Sequence, residues 1–389
     1  MVPEAGAPEL GALESGAFAG AAPALARLFA ALKQARLVGG CVRDALAGQP
    51  VADFDLATPD PPDAVMAALA AAGLRAIPTG LDHGTVTAVI GGRGFEITTL
   101  RRDILTDGRH AQVAWTADWR EDAARRDFTI NAMSMAADGT LYDYFGGQAD
   151  LQAGRVRFVG DADARVAEDY LRILRFFRFQ ARYGRGEPDP AALAAIAAGV
   201  PGLARLSVER VWSELKRILA APDPSAALSL MARLGVLAAV VPEGADPARV
   251  SGLPPDPILR TAALLTGDPA TFAARLKLSA AEAEHLAALR GPAPCGDDSD
   301  LRRALADTPL AVLTGRSWLA GQPPAMRARL AALPRPVFPL EGRDVVALGV
   351  PPGPRVGALL RQVRAWWMAG GCLAGPSDCR AELARLAAA

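Results

Sequence analysis

The chain has 389 residues and balances 42 basic against 42 acidic side chains, so its overall charge does not mark it as a nucleic-acid-binding protein. Lysine occurs only at positions 33, 216 and 277, and the other basic residues are arginines, so any anion site must be a local patch of planar guanidinium groups. No apolar run approaches the roughly 20 residues of a membrane span, so we expect no membrane-spanning helix.

Residues 1–21 are rich in alanine, glycine, proline and glutamate, and we expect this N-terminus to be flexible. A helix is predicted over Ala22–Gln34, where apolar residues recur at helical spacing. The following stretch, residues 37–57, reads LVGGCVRDALAGQPVADFDLA. Its pattern predicts a short strand, a turn, a helix over about Val42–Ala47 and a second strand.

The turn of this stretch contains Gly39 and Gly40, at the junction of the strand and the helix. Glycines let the backbone approach a phosphate closely, and a helix N-terminus presents free N–H groups to an anion. Arg43 lies in the first helical turn, where a positive charge opposes the helix dipole. This local cost suggests that Arg43 has another role, such as holding phosphate oxygens.

The second strand is predicted to carry Asp53, Phe54 and Asp55. Side chains alternate along a strand, so the two aspartates face one side and Phe54 the other. Their Cα atoms would lie roughly 6.6–6.8 Å apart, close enough for both carboxylates to bind hard cations. Carboxylates and substrate phosphates are the usual surroundings of Mg²⁺, and a pair of such ions is a known device for phosphoryl transfer.

Beyond this stretch, the pattern predicts a helix and three strands: Pro61–Ala72, then Leu74–Ile77, His83–Ile90 and Gly94–Leu100. Residues 101–118 carry charges and glycine with little periodicity, which predicts a flexible loop. A helix to about Arg126, a turn at Asp127 and a strand near Met133–Ala137 follow.

From about residue 161 only helices are predicted, many starting at Ser, Asp or Pro and ending near Gly or Pro. They span residues 162–183, 190–198, 207–220, 224–237, 257–265, 269–277, 280–289, 300–306, 309–320, 324–333, 342–349, 354–368 and 377–388. The first of these has an apolar face that includes Phe177, and its arginines fall on the opposite face: Arg175, Arg178 and Arg182. Arginines three residues apart repel one another and favour an anion between them.

The four cysteines form no CxxC pair and have no histidine at zinc spacing: Cys41, Cys295, Cys372 and Cys379. We expect them to be reduced and buried in a cytoplasmic protein, because disulfides are rare in that compartment.

Three motifs resemble those of a known family. GGCVRD followed by DFD resembles the signature of the DNA polymerase β-type nucleotidyltransferases, in the form found in class II tRNA nucleotidyltransferases and bacterial poly(A) polymerases. RRDFTINAM at Arg125–Met133 resembles a second motif. EDYLR at Glu168–Arg172 resembles the EDxxR nucleotide-selection motif, with Tyr170 where the family commonly has proline. The resemblance is specific over about residues 36–185.

The resemblance implies a role for each residue that matches a motif. Asp53 and Asp55 would hold two Mg²⁺ ions, and Glu96, on the strand in FEITT, is the candidate third carboxylate. The implied nucleotide-binding residues are Gly39, Gly40, Arg43, Arg126, Asp127, Asp169, Arg172, Arg175 and Arg178. The last two would hold phosphates of the nucleotide or of RNA.

The choice of base would fall to Asp169 and Arg172. A carboxylate can only accept hydrogen bonds, so Asp169 can accept from the exocyclic amino group of cytosine or adenine. A guanidinium can only donate, so Arg172 can face a ring nitrogen or a carbonyl. Guanine and uracil present a carbonyl in place of that amino group, so the same pair would reject them.

We therefore expect an α+β protein with a nucleotidyltransferase head followed by a helical neck, body and tail. The expected boundaries are a flexible N-terminus at 1–21, the head at 22–147, the neck with the nucleotide-selection helix at 148–222, the body at 223–292 and the tRNA-binding tail at 293–389. The expected function is to add or repair the 3′-terminal CCA of tRNA from CTP and ATP, with release of pyrophosphate and with Mg²⁺ as cofactor. The partners would be the 3′ end of the tRNA acceptor stem and the two nucleotides. No membrane association is expected, and a protein partner cannot be inferred from the sequence.

Several alternatives stay open. A poly(A) polymerase of the same family typically has a GRRF-type segment where this chain has IGGRGFEITTLRRD. An enzyme that adds only CC is expected to lack the flexible loop that residues 101–118 would supply, and one that adds only A is a further possibility. A non-catalytic RNA-binding protein on the same fold would not need Asp53 and Asp55. The oligomeric state and the cue that stops addition do not follow from the sequence.

Overall fold

The computed structural model describes residues 16–106 and 111–388, and the chain forms two compact units, Met1–Pro242 and Glu243–Ala389. The first unit combines sheets with helices and the second is helical in its described part, so the predicted α+β class is confirmed. No helix in the described ranges is long and apolar enough to cross a membrane.

The described residues of the first unit form nine strands in two sheets. They are β1 Arg36–Val38, β2 Asp55–Thr58, β3 Arg75–Gly80, β4 Thr85–Ile90, β5 Arg93–Thr99, β6 Arg101–Thr106, β7 Ala111–Trp115, β8 Met133–Met135 and β9 Leu141–Asp143. Seven form one sheet in the order β3-β4-β5-β2-β1-β8-β9, and β6 pairs only with β7. Strand β2 lies at the centre, parallel to β5 and antiparallel to β1. The start of β2 therefore brings residues from distant parts of the head together.

Eleven α-helices belong to the described part of this unit. They are α1 Ala22–Ala31, α2 Gly40–Leu46, α3 Pro62–Ala71, α4 Trp119–Ala124, α5 Gly147–Ala153, α6 Ala162–Glu168, α7 Leu171–Tyr183, α8 Pro190–Gly199, α9 Val208–Leu219, α10 Ser225–Arg233 and α11 Val236–Val240. A further short 3₁₀ helix, Gly16–Ala21, buries Phe18, so regular structure begins before the expected residue 22. Residues 1–15 lie outside the described ranges.

An aromatic cluster joins two segments outside the sheets, around Phe128 and Phe158, to helix α7. The ring of Phe128 lies 4.8 Å from that of Phe158 and 5.3 Å from that of Phe179, centroid to centroid. Phe128, Phe158, Phe176 and Phe177 are fully buried. Burying aromatic rings of this size is a large apolar contribution to stability. The cluster fixes the arginine-rich face of α7 against the edge of the head where β2 begins.

The second unit contains nine α-helices in its described part. They are α12 Pro257–Leu264, α13 Pro269–Arg275, α14 Ala280–Leu289, α15 Asp298–Asp307, α16 Leu310–Leu319, α17 Pro324–Ala332, α18 Gly342–Val346, α19 Pro354–Ala369 and α20 Pro376–Ala388. Aspartate and serine side chains cap several N-termini, as at Asp256, Asp268 and Ser279. Within α19, Trp367 is buried and Trp366 is exposed.

Several predictions about local structure and burial were wrong. Within the loop predicted over 101–118, residues 101–106 and 111–115 instead form strands β6 and β7, and residues 107–110 lie outside the described ranges. The helix predicted over 162–183 breaks at Asp169 and Tyr170, and the helix predicted over 224–237 breaks at Gly235, whose φ of 76° is left-handed. Cys295 is exposed, although the other three thiols are buried as expected. Apolar periodicity alone does not record such breaks in a helix.

Candidate active site

Three carboxylates converge at the start of strand β2. Asp55 is its first residue, whereas Asp53 lies in the preceding segment, so the prediction that both belong to the strand was wrong. Phe54 between them is buried, and Asp53 is exposed, which preserves the predicted alternation. Glu96 lies beside Asp55 in the parallel register of β5, as the sequence had suggested.

The pKa of Asp55 reports how close these charges are. Burial raises it above the ordinary value, and the neighbouring charges of Glu96 and Asp53 raise it further, while Arg126 opposes them. No donor among the described residues hydrogen-bonds the Asp55 carboxylate. A partly buried anion beside other anions is costly, so this corner of the head favours a bound cation.

The carboxylate oxygens of Asp53 and Asp55 are the kind of ligand atom that Mg²⁺ prefers. Asp53 and Asp55 supply hard oxygen ligands at the edge of an open cleft, where substrate phosphates could complete the coordination. Glu96 instead lines a smaller adjoining cavity of about 180 Å³ together with Asp55. The described residues contain no preformed group of three or more side chains with the spacing of a metal site. We therefore assign only the two aspartates as candidate ligands.

Gly39 makes the turn from β1 into helix α2. Its φ of 69° and ψ of −122° favour glycine, and a Cβ there would lie 2.7 Å from Nη1 of Arg126. Arg43, one turn later, is buried and donates to Asp44 and to the amide oxygen of Asn131. Arg43 lines the cleft, but its guanidinium already pairs with Asp44. Its position in the first helical turn therefore does not by itself require a phosphate partner.

The segment RRD, Arg125–Asp127, supplies the next side chains of the site. Asp122 is buried and accepts hydrogen bonds from Arg125 at 3.0 Å and from Arg126 at 3.1 Å. Burial alone would raise the pKa of Asp122, but the two arginines hold it below its usual value. Asp122, which sequence reasoning missed, therefore fixes Arg126 close to Asp55.

Asp127 links this segment to helix α7. Its carboxylate accepts from Asn131 at 2.9 Å and from Nε of Arg175 at 2.6 Å. Burial would raise the pKa of Asp127, but Arg175, Asn131 and the backbone amide of Phe128 lower it overall. Asp127 is thus ionised at neutral pH and positions Arg175.

Asp169 and Arg172 lie where the helix is interrupted. Asp169 accepts from the backbone amide of Leu171 at 3.0 Å and from Arg210 on α9 at 2.6 Å. Arg172 donates to the backbone oxygen of Arg165 at 2.9 Å and pairs with the carboxylate of Glu168. The two proposed base-reading residues do not pair with each other, and each keeps hydrogen-bonding capacity for a ligand.

A buried glutamate on α9 organises the remaining arginines. Oε1 of Glu214 lies 3.5 Å from Nη1 of Arg178, 3.9 Å from Nη1 of Arg175 and 3.2 Å from Nη1 of Arg217. Burial lowers the pKa of Arg178, although Glu214 opposes that effect. Sequence reasoning missed Glu214 and Arg210. The available signal was their i,i+4 spacing on one face of a helix, which does not identify the partner helix.

These elements enclose one cleft of about 820 Å³ within the first unit. Of the residues predicted for the site, all line it except Glu96. Its charged lining consists of Arg43, Arg101, Arg125, Arg126, Arg172, Arg175, Arg178, Arg182 and Arg210 with Asp44, Asp53, Asp55, Asp127 and Asp169. The excess of arginines suits a multiply charged anion such as a triphosphate, and the aspartates at one end suit its metal ions.

Two protein-family models match segments of the chain. A model described as "Poly A polymerase head domain" matches residues 35–157. A model described as "Probable RNA and SrmB- binding site of polymerase A" matches residues 187–246.

Curated relatives and solved structures match most of the chain. It is 38% identical over 368 residues to the mouse protein "CCA tRNA nucleotidyltransferase 1, mitochondrial", covering 86% of this chain and 83% of the relative. The human protein of the same name is 37% identical over 372 residues, with the same coverage. The crystal structure of the Bacillus stearothermophilus CCA-adding enzyme in complex with CTP superposes with a TM-score of 0.75 at 30% identity, covering 92% of this chain and 95% of that one.

Proposed function

We propose a residue-level account of catalysis for this chain, which belongs to the class II CCA-adding tRNA nucleotidyltransferases. The enzyme adds or repairs the 3′-terminal CCA of tRNA from CTP and ATP and releases pyrophosphate. The observation that supports our assignment best is that one arginine-rich cleft gathers eleven of the twelve predicted site residues.

In the proposed reaction, the 3′-hydroxyl of the tRNA forms a bond to the α-phosphorus of the nucleotide, and the bond to the β-phosphate oxygen breaks. Asp53 and Asp55 would hold Mg²⁺, which when bound neutralises charge on the attacking and leaving oxygens. Arg175 and Arg178 would hold phosphates through charge-assisted hydrogen bonds. Asp122 keeps Arg126 beside Asp55, where its positive charge partly offsets the cluster of carboxylates.

Asp169 and Arg172 would read the base as acceptor and donor. The contact between Asp169 and Arg210 supports this role, because it fixes one carboxylate oxygen and orients the other lone pairs. One acceptor and one donor can serve both cytosine and adenine, since both carry an exocyclic amino group.

Several finer points belong to this proposal. The proposed division is a neck with the nucleotide-selection helix at 148–222, a helical body at 223–292 and a tRNA-binding tail at 293–389. A cytoplasmic location is supported by four free cysteines, which fit a reducing compartment. Glu96 would act as a third carboxylate through Asp55, its neighbour in the sheet.

Poly(A) synthesis is the second candidate, because the matching head-domain model carries that name. The names of the curated relatives favour CCA addition instead. Enzymes that add only CC or only A would use the same cleft, so the length of the product distinguishes them.

The test of the catalytic assignment is incorporation of labelled CTP into tRNA that lacks CCA, in the presence of Mg²⁺. Asp55→Asn should abolish incorporation while tRNA binding stays close to wild type, because only the metal-binding carboxylate is lost. Asp63→Asn is the matched control, since Asp63 is an exposed aspartate of the same head that lies outside the cleft. Turnover by Asp55→Asn within about tenfold of wild type would contradict the metal assignment.

A further inference from the structure

The second unit contains a small basic pocket that is unrelated to the catalytic cleft. It has a volume of about 210 Å³ and is lined by Arg249, Arg290 and Arg316, with apolar residues such as Ala262 and Leu289 at its base. No carboxylate is among its lining residues in the described part of the chain. Three like charges gathered in one concave site repel one another unless an anion lies between them.

Backbone contacts hold two of these arginines in place. Arg290 donates from Nη2 to the carbonyl oxygen of Leu265, at the C-terminus of α12. Arg316 donates from Nε to the carbonyl oxygen of Ala288 at 2.8 Å, at the end of α14. A Cβ on Gly291 would lie 2.3 Å from Nη2 of Arg316, so the absence of a side chain there makes room for the guanidinium. The pocket is therefore preorganised by the fold.

Capping of helix C-termini explains part of this arrangement. Basic side chains commonly satisfy the last carbonyls of a helix, and Arg290 and Arg316 both do so. Capping does not explain Arg249, an exposed residue whose side chain contacts no carbonyl or carboxylate in the described ranges. Nor does capping use every donor, because each guanidinium has five N–H groups.

The charges in the pocket also lack compensation. Burial lowers the pKa of Arg290, and the nearby charge of Arg249 lowers it further, with no carboxylate acting in the opposite direction. Arg275 and Arg364, in the same unit, instead pair with Glu243 and Asp307. The unit thus has carboxylates available for arginines and supplies none to this pocket.

We propose that the pocket formed by Arg249, Arg290 and Arg316 binds a phosphate group of the tRNA backbone. Its volume is below the roughly 300–1,000 Å³ of pockets that enclose a whole small molecule, so it suits a phosphate rather than a nucleotide. The assignment to RNA rests on the proposed function, since a free phosphate would offer the same oxygens. Phosphate contacts of this kind set the position of a nucleic acid without reading its bases.

The experiment measures tRNA dissociation constants at several salt concentrations for the full-length enzyme and for Arg249→Gln. Arg249 has no hydrogen-bond or ion-pair partner among the described residues, so this variant should fold normally, and equal thermal melting curves will establish that it does. Arg335→Gln is the control, because Arg335 is exposed in the same unit and outside the pocket. Arg249→Gln should weaken tRNA binding about tenfold at low salt. The slope of log K against log salt should become shallower by about 0.7–0.9.

Steady-state kinetics on the same variant give a second readout. The KM for tRNA should rise while kcat and the KM for CTP stay at their wild-type values, because the pocket is outside the cleft. Wild-type tRNA affinity and salt slope in Arg249→Gln, with CCA addition intact, would overturn the pocket assignment and leave the proposed function standing. Absence of both tRNA binding and incorporation in the wild-type enzyme would instead refute the proposed function.

Titration with inorganic phosphate alone distinguishes the two sources of the anion. Saturable binding of free phosphate that is lost in Arg249→Gln, with unchanged tRNA affinity, would overturn the RNA assignment. Competition between phosphate and tRNA that disappears in the same variant would support it.

Discussion

Asp169→Ala is the most informative change, because it separates base selection from phosphate binding. In the structure this carboxylate holds the amide of Leu171 and the guanidinium of Arg210, and its side chain is 21% exposed. Losing the amide contact should cost about 1 kcal/mol, as for a helix cap, and the partly exposed ion pair about 1 kcal/mol at most. For a unit of this size, such a loss lowers Tm by about 2–8 °C, so the variant should still fold.

The expected loss of base discrimination is larger. A bidentate contact to a base edge contributes about 1–3 kcal/mol, which corresponds to roughly 5- to 150-fold preference. Asp169→Ala removes the proposed acceptor for the exocyclic amino group and leaves Arg175 and Arg178 in place. The preference for CTP over UTP should therefore fall by a factor in that range, while KM for the triphosphate changes less.

The assay compares kcat/KM for all four nucleoside triphosphates, first on tRNA that ends in the discriminator base and then on tRNA that ends in CC. Asp189→Ala is the matched control, since Asp189 caps the N-terminus of α8 and lies outside the cleft. The control should show a similar loss of Tm with unchanged nucleotide preference. If Asp169→Ala keeps the wild-type ratio of CTP to UTP, base selection lies elsewhere and Asp169 only stabilises the break between α6 and α7.

The remaining predictions concern pH, packing and salt. The pKa of Asp55 is raised on folding, so its ionisation destabilises the folded state at neutral pH. Asp55→Asn should therefore raise Tm at pH 7 without Mg²⁺, and a lower Tm would contradict this. That gain should shrink as the pH falls through the raised pKa of Asp55. The pKa of Asp127 is lowered on folding, so its ionised form stabilises the protein and Asp127→Asn should lower Tm at pH 7. This loss of Tm should vanish as the pH falls below about 3.9 and then through the pKa of Asp127 in the folded state. A loss that does not depend on pH would count against an electrostatic origin. Glu214→Gln should weaken triphosphate binding, because Arg178 loses its only carboxylate within 4 Å in the described residues. The control is Arg217→Gln, which removes another partner of Glu214. An unchanged KM for CTP in Glu214→Gln would limit Glu214 to a structural role. The affinity of the whole enzyme for tRNA should fall steeply with salt, and a flat dependence would argue against extended contact with phosphates.

Local chemistry made much of the head predictable. The glycine turn, the short helix and the aspartates each have a residue-level reason, and the structure has Gly39 in the backbone conformation that the turn requires. The neighbouring positions of Asp55 and Glu96 were also anticipated, and the sheet register confirms them.

The failures have identifiable causes. Charged residues such as Arg101 and Arg102 led to the prediction of a loop where strand β6 lies. The pairing of β6 with β7 is a tertiary property, which the local sequence does not record. The break at Asp169 and Tyr170 follows from side-chain contacts of Asp169, among them the pair with Arg210, which lies 41 residues further along the chain. Glu214 likewise acts through arginines on another helix, so only the packed structure identifies it as part of the site.

Product analysis on tRNA that lacks CCA tests the central claim most directly. Singly labelled nucleotides are supplied with Mg²⁺, alone and in pairs, and the products are resolved by length. We predict that CTP alone adds two cytidines, that CTP with ATP adds CCA and then stops, and that GTP and UTP are not incorporated. A growing tail from ATP alone, arrest after CC with ATP present, or no incorporation at all would contradict CCA addition by this cleft.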